Sequence, residues 1–503
     1  MQVEILSTMN LSQSHSLMHL YRACRHCALS VMLVMVCGAA GAAIPYNNIK
    51  AKPTTGKVKY KRAKNYLFRV KLSDKRGTPY SLDCPEAFLS AKALERRKRQ
   101  QLPVDSTDLP VNPDYVKQVE DAGVTVVRRS KWNNTLLVRC THASRMKAVE
   151  QLPCVTEVKN VWTSPDSVAS ASARKRCHTE LNSWDVVAEG DYGTAKEPIH
   201  MLKGEKLHYR GYTGKGMLIA VFDGGFMNVD RIPCMQRMNI VGAADFVVPA
   251  SKDIYQEIDH GTKVLSVMGV DEPGSFVGTA PKASYLLVRC EDAQTESWAE
   301  EDYWAAAAEY ADSVGVDVIS CSLGFHSFDD ASQNYRYAQL DGQSSFISHT
   351  ASLLARKGIV AVISAGNEGM GVWKKINVPA DAADVLTVGA LTPTGVNAAF
   401  SSVGPTADGR VKPDVMALGS PVSVITGRGT MIKDVGTSFS TPVVAGLVAC
   451  LWQALPELSA IDIINLVRQT SDNSDTPDNI YGYGMPDFWK AYQQAKHSIT
   501  RQQ

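Results

Sequence analysis

The apolar positions of this chain change period several times, and each change marks an element. Tyr66 to Leu72 alternates as a half-buried strand, and Pro85 to Arg99 and Pro113 to Ala122 read as helices. Val124 to Arg129 and Thr135 to Cys140 read as strands on either side of the turn pair Asn133-Asn134. A helix over Ala143 to Gln151 and a strand over Val155 to Val161 follow. If the two early helices count as one crossover, the order is β, α, β, β, α, β, that of a small ferredoxin-like α+β sandwich.

From His200 onward the pattern changes to short, almost wholly apolar runs: Met217 to Phe222, Ser284 to Val288, Val316 to Ser320, Ile359 to Ser364 and Val385 to Val388. Helical stretches accompany them at Thr262 to Val270, Trp298 to Val314, Phe346 to Lys357 and Thr441 to Leu455. Such alternation predicts an α/β fold, a parallel sheet with helices on both faces. Active residues then belong at the carboxyl edge of that sheet.

The first 43 residues have the order of an export signal: Arg22 and Arg25, an apolar stretch from Ala28 to Val36, then small residues through Ala43. The long lead before Arg22 leaves Met9 and Met18 open as true starts. Val36 before Cys37 is a poor fit for a lipoprotein signal. No later run reaches eighteen apolar residues, so an integral membrane protein is not expected. The organisation predicted is 1–43 signal, 44–165 small sandwich, 166–190 linker and 191–497 main domain. Thr163 to Lys175 is rich in Ser, Ala and Pro and runs into Arg174-Lys175-Arg176, a linker open to cleavage.

Charge changes this picture more than composition does. The net +2 of the whole chain hides residues 44–190 with 27 Lys and Arg against 15 Asp and Glu, a net +12, and residues 191–503 with 24 against 35, a net −11. The two parts are complementary, so the first is expected to dock on the second. No recognition motif accompanies the basic part, so nucleic acid is not an expected partner. Of eleven cysteines, Cys24, Cys27 and Cys37 fall in the signal, and eight remain: Cys84, Cys140, Cys154, Cys177, Cys234, Cys290, Cys321 and Cys450. Cys321 and Cys450 sit in apolar runs and read as small buried hydrophobes. Disulfides are allowed in an exported protein, and spacing does not fix their pairing.

The candidate chemistry lies at four places. Val221-Phe222-Asp223-Gly224-Gly225 delivers a carboxylate from a buried strand into a glycine turn, His260-Gly261-Thr262 opens a helix, and Gly436-Thr437-Ser438-Phe439-Ser440-Thr441-Pro442 opens another. A serine there sits among unpaired helix N–H groups, where negative charge is favoured. Ser364 to Gly369 reads S-A-G-N-E-G. These four stretches, in the order Asp, His, Ser, resemble the signatures of subtilisin-like (subtilase) serine peptidases, and the resemblance extends from about Gly214 to Ala491. It implies a subtilisin-like fold preceded by a propeptide that assists folding and inhibits the enzyme in cis. It also implies a triad of Asp223, His260 and Ser438, an oxyanion donor at Asn367, and a substrate-binding edge at Ser322-Leu323-Gly324. Protein or peptide substrates are implied, cleaved through an acyl-enzyme, and no cofactor is required. Structural calcium is common in the family, but no oxygen-rich loop aligns, so no metal ligand is assigned.

Several alternatives stay open at this point. The sandwich could be a permanent accessory domain instead of a propeptide. Glu291, Asp292, Glu296, Glu300 and Glu301 could be a solvated helix face or an acidic subsite favouring basic substrates. Gly224-Gly225 depart from many relatives and leave the local turn geometry open. A lipase or esterase needs G-x-S-x-G, and the residue two after Ser438 is Ser440. A binding module without turnover is disfavoured because all four functional positions are intact. His349 reads as structural. No further domain is evident beyond Tyr481 to Ala491, and periplasm, cell surface and medium are equally compatible with export.

Overall fold

A computed structural model of the chain describes residues 65–164, 181, 191–248, 251 and 253–502. The segment read as an export signal lies outside these residues. So does the linker apart from Leu181, with its basic triplet and Cys177.

The first part contains β1 (Tyr66–Leu72), α1 (Ala91–Arg99), α2 (Pro113–Asp121), β2 (Thr125–Ser130), β3 (Thr135–Cys140), α3 (Met146–Glu150) and β4 (Val155–Thr163). Its sheet runs β2-β3-β1-β4 with every neighbour antiparallel, the ferredoxin-like order. The period-2 alternation of β1 assigns its two faces. Phe68, Val70 and Leu72 pack with Val116 and Val119 of α2 and Met146 and Val149 of α3. Leu67, Leu137 and Val161 on the other face join the core of the second part.

One expectation fails here. Pro85 to Arg99 is not one helix but a single 3₁₀ turn (Pro85–Ala87) and then α1, restarted at Ser90, whose Oγ accepts from the Ala93 N–H at 3.1 Å. Nor do the early helices form one crossover: α2 packs in the sandwich, while α1 docks on the second part. The segment Ala143 to Gln151 likewise divides into a 3₁₀ turn and the short α3.

The second part contains β5 (Leu218–Asp223), β6 (Asn239–Asp245), α4 (His260–Gly269), β7 (Ser284–Arg289), α5 (Ala299–Val314), β8 (Val318–Cys321), β9 (Val360–Ser364), β10 (Leu386–Leu391), β11 (Val415–Leu418) and α6 (Thr437–Ala454). Seven strands form one parallel sheet in the order β11-β10-β9-β8-β5-β7-β6. β5 lies between β7 and β8: the chain fills one side of it with β6 and β7 and then crosses over to β8 on the other, and this change of direction opens a crevice at the carboxyl ends. Ile219 and Val221 of β5 face α4 and α6; Leu218, Ala220 and Phe222 face α5. The edge strands β6 and β11 did not stand out in the sequence. β6 is half exposed and rich in small residues, and β11 has only four residues.

Helix α5 lies between the large sheet and the first part, and it carries five buried carboxylates: Glu300, Glu301, Asp302, Glu309 and Asp312. The first part supplies partners for four of them. Arg69 donates from Nε and Nη2 to Asp302 (2.9 and 2.6 Å) and from Nη2 to Glu301 (3.3 Å). Glu309 accepts from Ser130 Oγ (2.5 Å) and from the N–H groups of Lys131 (2.6 Å) and Trp132 (3.0 Å). Asp312 is held by Arg96 and Arg97. The complementary charges of the two parts therefore meet in buried, directed pairs.

Removing one member of such a pair leaves the other buried without its partner, which costs about 3–5 kcal/mol. Arg69→Met in the intact chain is expected to lower the urea midpoint by a corresponding amount. A midpoint equal to wild type would show that this pair does not hold the two parts together.

Candidate active site

Asp223 ends β5 and is fully buried, and its Oδ1 accepts from the Gly224 N–H at 2.8 Å. That bond and the imidazole are its side-chain partners: Nδ1 of His260 lies 3.0 Å from Oδ1 and 2.9 Å from Oδ2. His260 is the first residue of α4, so the helix start aims the ring back at the strand end. Burial disfavours the charged imidazolium, but the Asp223 carboxylate and, more weakly, Glu291 outweigh it and raise the pKa to about 9.

Ser438 is the second residue of α6, whose N-cap is Gly436 with no side-chain cap. Neither serine of the motif caps the helix. Ser440 Oγ donates back to the Thr437 carbonyl at 3.0 Å and is buried, which leaves Ser438 as the available hydroxyl. Ser438 Oγ is turned to the Ser322 carbonyl at 3.5 Å, and Ser322 Oγ donates to the Ser438 carbonyl at 2.9 Å. The His260 ring stands 5.9 Å, centroid to centroid, from the neighbouring Phe439 ring, so the imidazole lies over the first turn of α6. Free-enzyme triads often have the nucleophile in a rotamer that engages the base only when substrate arrives.

Asn367 follows β9, and its Oδ1 accepts from the Thr437 N–H and Thr437 Oγ1, both at 3.0 Å. The backbone N–H can only donate, so it fixes which amide atom faces it. Nδ2 is thereby directed to the Gly436 turn, beside the unpaired N–H groups at the start of α6. Thr437 is thus an orienting residue that the sequence reading did not single out, although it sits in the G-T-S motif. Ser322, Leu323 and Gly324 continue β8 past its last paired residue. Among the described residues the N–H groups of Leu323 and Gly324 have no backbone partner, as an edge open to an added strand would require.

The acidic stretch is not a solvated face. Glu300 is fully buried and accepts from the Asp292 and Ser297 N–H groups, each at 2.9 Å, and Glu301 bonds Tyr335 and Arg69. Glu291 differs from these: it comes close to the Asp223–His260 pair, and its Oε2 occupies the space 2.5 Å from where a Cβ on Gly224 would stand. Burial, with Asp223 adding to it, pushes the Glu291 carboxyl up to about 7. The double glycine after Asp223 is explained by the same crowding, because a Cβ on Gly225 would fall 2.5 Å from Glu257 Cβ and 2.7 Å from the Ile258 backbone. His349 is exposed, with Nδ1 3.0 Å from Gln343 Oε1, far in role from this site.

Cys140, Cys154, Cys234, Cys290, Cys321 and Cys450 are free thiols. Among the described residues no group of three or more His, Cys, Asp or Glu side chains could hold a metal ion, and no helix is long and apolar enough to cross a membrane.

The model of the subtilase family matches residues 214–484, more than half of the chain, and takes in all of these site residues. This chain belongs to the subtilase family. A second model, the Peptidase S8 propeptide domain of Bacteroidota, matches residues 67–179, so the sandwich is a propeptide domain. Among relatives, the subtilase is 29% identical over 276 residues to subtilisin NAT of Bacillus subtilis subsp. natto, covering 54% of this chain and 65% of that protein. It is 28% identical over 288 residues to subtilisin Savinase of Lederbergia lenta, covering 57% of this chain and 94% of that one. With subtilisin DY of Bacillus licheniformis it shares 29% over 279 residues, 55% of this chain and 90% of the other. The chain thus spans just under two thirds of the length of subtilisin NAT.

In the intact subtilase carrying Ser438→Ala, the His260 imidazole is expected to titrate by NMR near pH 9. Glu291→Gln removes a negative charge that keeps the proton on the ring, so it should lower that midpoint. An unchanged midpoint would separate Glu291 from the pair.

Proposed function

We propose that this subtilase is an exported serine endopeptidase, made as a zymogen whose propeptide inhibits it in cis. The observation that carries the reading is the Asp223–His260 contact at 2.9 Å, made from the end of β5 to the start of α4, with the imidazole 5.9 Å from the Phe439 ring beside Ser438 on α6. In the proposed cycle Ser438 Oγ attacks the scissile carbonyl and His260 Nε2 accepts its proton. Asp223 holds the Nδ1 proton and stabilises the imidazolium. Nδ2 of Asn367 and the Ser438 N–H donate to the oxygen that becomes negative. The imidazolium then protonates the leaving amine. Water, deprotonated by the same imidazole, attacks the acyl-serine ester and releases the second product. The substrate lies extended along Ser322-Leu323-Gly324, paired through backbone groups, so affinity does not demand a strict sequence.

The export reading rests on the charged, apolar and small-residue order of residues 1–43. It leaves periplasm, cell surface and medium as equivalent destinations. The cycle uses the chain's own groups alone.

Ser438→Ala is expected to abolish peptide hydrolysis and labelling by serine-directed phosphonates while leaving the fold intact. Turnover at the wild-type rate in that variant would remove Ser438 from the mechanism. Asn367→Ala should lower kcat by roughly 10²- to 10³-fold with little change in KM, because its bond strengthens only in the transition state. A change in KM alone would move Asn367 to substrate binding.

Glu291 supports a finer reading, a subsite that prefers a basic side chain next to the scissile bond. Its carboxylate has no hydrogen-bond partner among the described residues and lies next to the catalytic pair. Glu291→Gln is then expected to reduce kcat/KM for Lys and Arg peptides several-fold more than for neutral ones. Equal losses on both peptide sets would leave Glu291 with an effect on the His260 proton only.

A further inference from the structure

Residues 84–110 are not needed to complete the propeptide sandwich, since α2 packs against its sheet, yet they carry its most deeply buried charges, Arg96, Arg97 and Asp108. We propose that this arm is a second docking element that fits its own acceptor site on the catalytic region, so that a cut in the linker does not free the propeptide.

The acceptor site is built where α5 ends and where β8 and β9 begin. The last carbonyls of a helix have no partner within it, and the negative end of its dipole attracts cations. Here the arm supplies both donors and charge. The Ser90 N–H donates to the Ser313 carbonyl and Ser90 Oγ to that of Val314, each at 2.9 Å. Arg96 Nη1 donates to the Val316 carbonyl at 2.6 Å. The guanidinium groups of Arg96 and Arg97 then converge on the Asp312 carboxylate, at 2.5 Å from Arg96 and 2.9 Å from Arg97 to each oxygen. Lys92 pairs with Asp317 at 3.1 Å.

The pairing also runs the other way. Lys357 of the catalytic region reaches Asp105 and Asp108 of the arm, both at 3.1 Å. Asp108 is clamped in turn by the Arg97 fork at 2.8 and 2.9 Å. Gln100 bridges two catalytic elements, donating to the Gly358 carbonyl at 2.9 Å and accepting from the Ala460 N–H at 2.8 Å.

The catalytic surface is bare where the arm lands. A Cβ on Gly315 would stand 2.8 Å from the Ala93 nitrogen, and one on Gly358 would stand 2.8 Å from Gln100 Nε2. Both glycines also have left-handed backbones, with φ of 96° and 85°. The close approach and the two turns thus select the same residue.

This site lies at the amino edge of the sheet, and the triad lies at the carboxyl edge. From Asp317 to Ser322 is five residues along β8, roughly 16 Å at about 3.3 Å per residue. A peptide entering the cleft therefore does not compete with the arm. The propeptide holds the catalytic region at two places, the sandwich on α5 and the arm on this site, and each keeps the other at high local concentration. Once the propeptide is gone, the catalytic region presents an exosite shaped for a helix with two adjacent arginines.

The test uses the full chain with Ser438→Ala, so its reading does not depend on peptidase activity. A site-specific cleavage sequence in the linker is cut after folding, and the two parts are followed after dilution by size separation and by hydrogen exchange. The cut pair is expected to stay together. Arg96→Ala with Arg97→Ala should raise the dissociation rate on the order of 10²-fold, because Asp312 loses its two guanidinium partners and keeps only Lys131, at 3.5 Å. Asp312→Asn, which leaves the propeptide unaltered, should also raise it. The amides of β1 to β4 should stay protected in both variants. Equal dissociation in all three chains would overturn the proposal. Faster dissociation only where β1 to β4 lose protection would overturn it too, because misfolding would then be the cause.

Discussion

A carboxylate taken out of water must find a cation, a set of donors or a proton. Helix α5 places five of them between the two halves of the molecule. Most of the relation between propeptide and catalytic region follows from that constraint. Arg69 points out of a hydrophobic strand toward Asp302, and the β2–β3 turn presents two backbone N–H groups to Glu309. The arm carries two adjacent arginines to Asp312. The fifth carboxylate, Glu300, is served by N–H groups of its own region, and burial pushes its carboxyl well above the usual range.

The same constraint governs the other edge of the sheet. Asp223 is as buried as Asp312, but its partners are an imidazole and one N–H, so its charge is expressed through a group that can give up a proton. A parallel sheet separates the two situations. Strand ends at the carboxyl edge converge on the crevice beside β5, and strand starts at the amino edge receive the arm. The molecule therefore keeps the residues proposed for chemistry and those proposed for restraint at opposite ends of the same strands.

The buried strands were legible because parallel strands covered on both faces read as unbroken apolar runs. The three residues proposed as a triad could be picked out because each sits in a short local motif. What the sequence hid was the partner of each charge. Glu301 and Asp302 look like part of an exposed acidic run, yet Arg69, 233 positions away from Asp302, pairs with both in the interior, while Glu300 beside them is buried among N–H groups of its own region. The break before α1 was hidden for a local reason: Phe88 and Leu89 are apolar through the gap between the 3₁₀ turn and the helix that Ser90 caps. The strand β6 was hidden because half exposure and small side chains remove the apolar contrast on which such readings depend.

The cysteines carry a consequence of their own. Cys290, Cys321 and Cys450 are fully buried, and burial pushes all three thiols well above the ordinary thiol range, that of Cys321 up to about 12. A thiol in that state is neither ionised nor reachable, so oxidants and alkylating reagents meet it only after the surrounding core has opened. The catalytic region thus carries an internal chemical record of its own breathing. The extent of modification of these three sulfurs counts how often the core has been open to solvent since the chain folded.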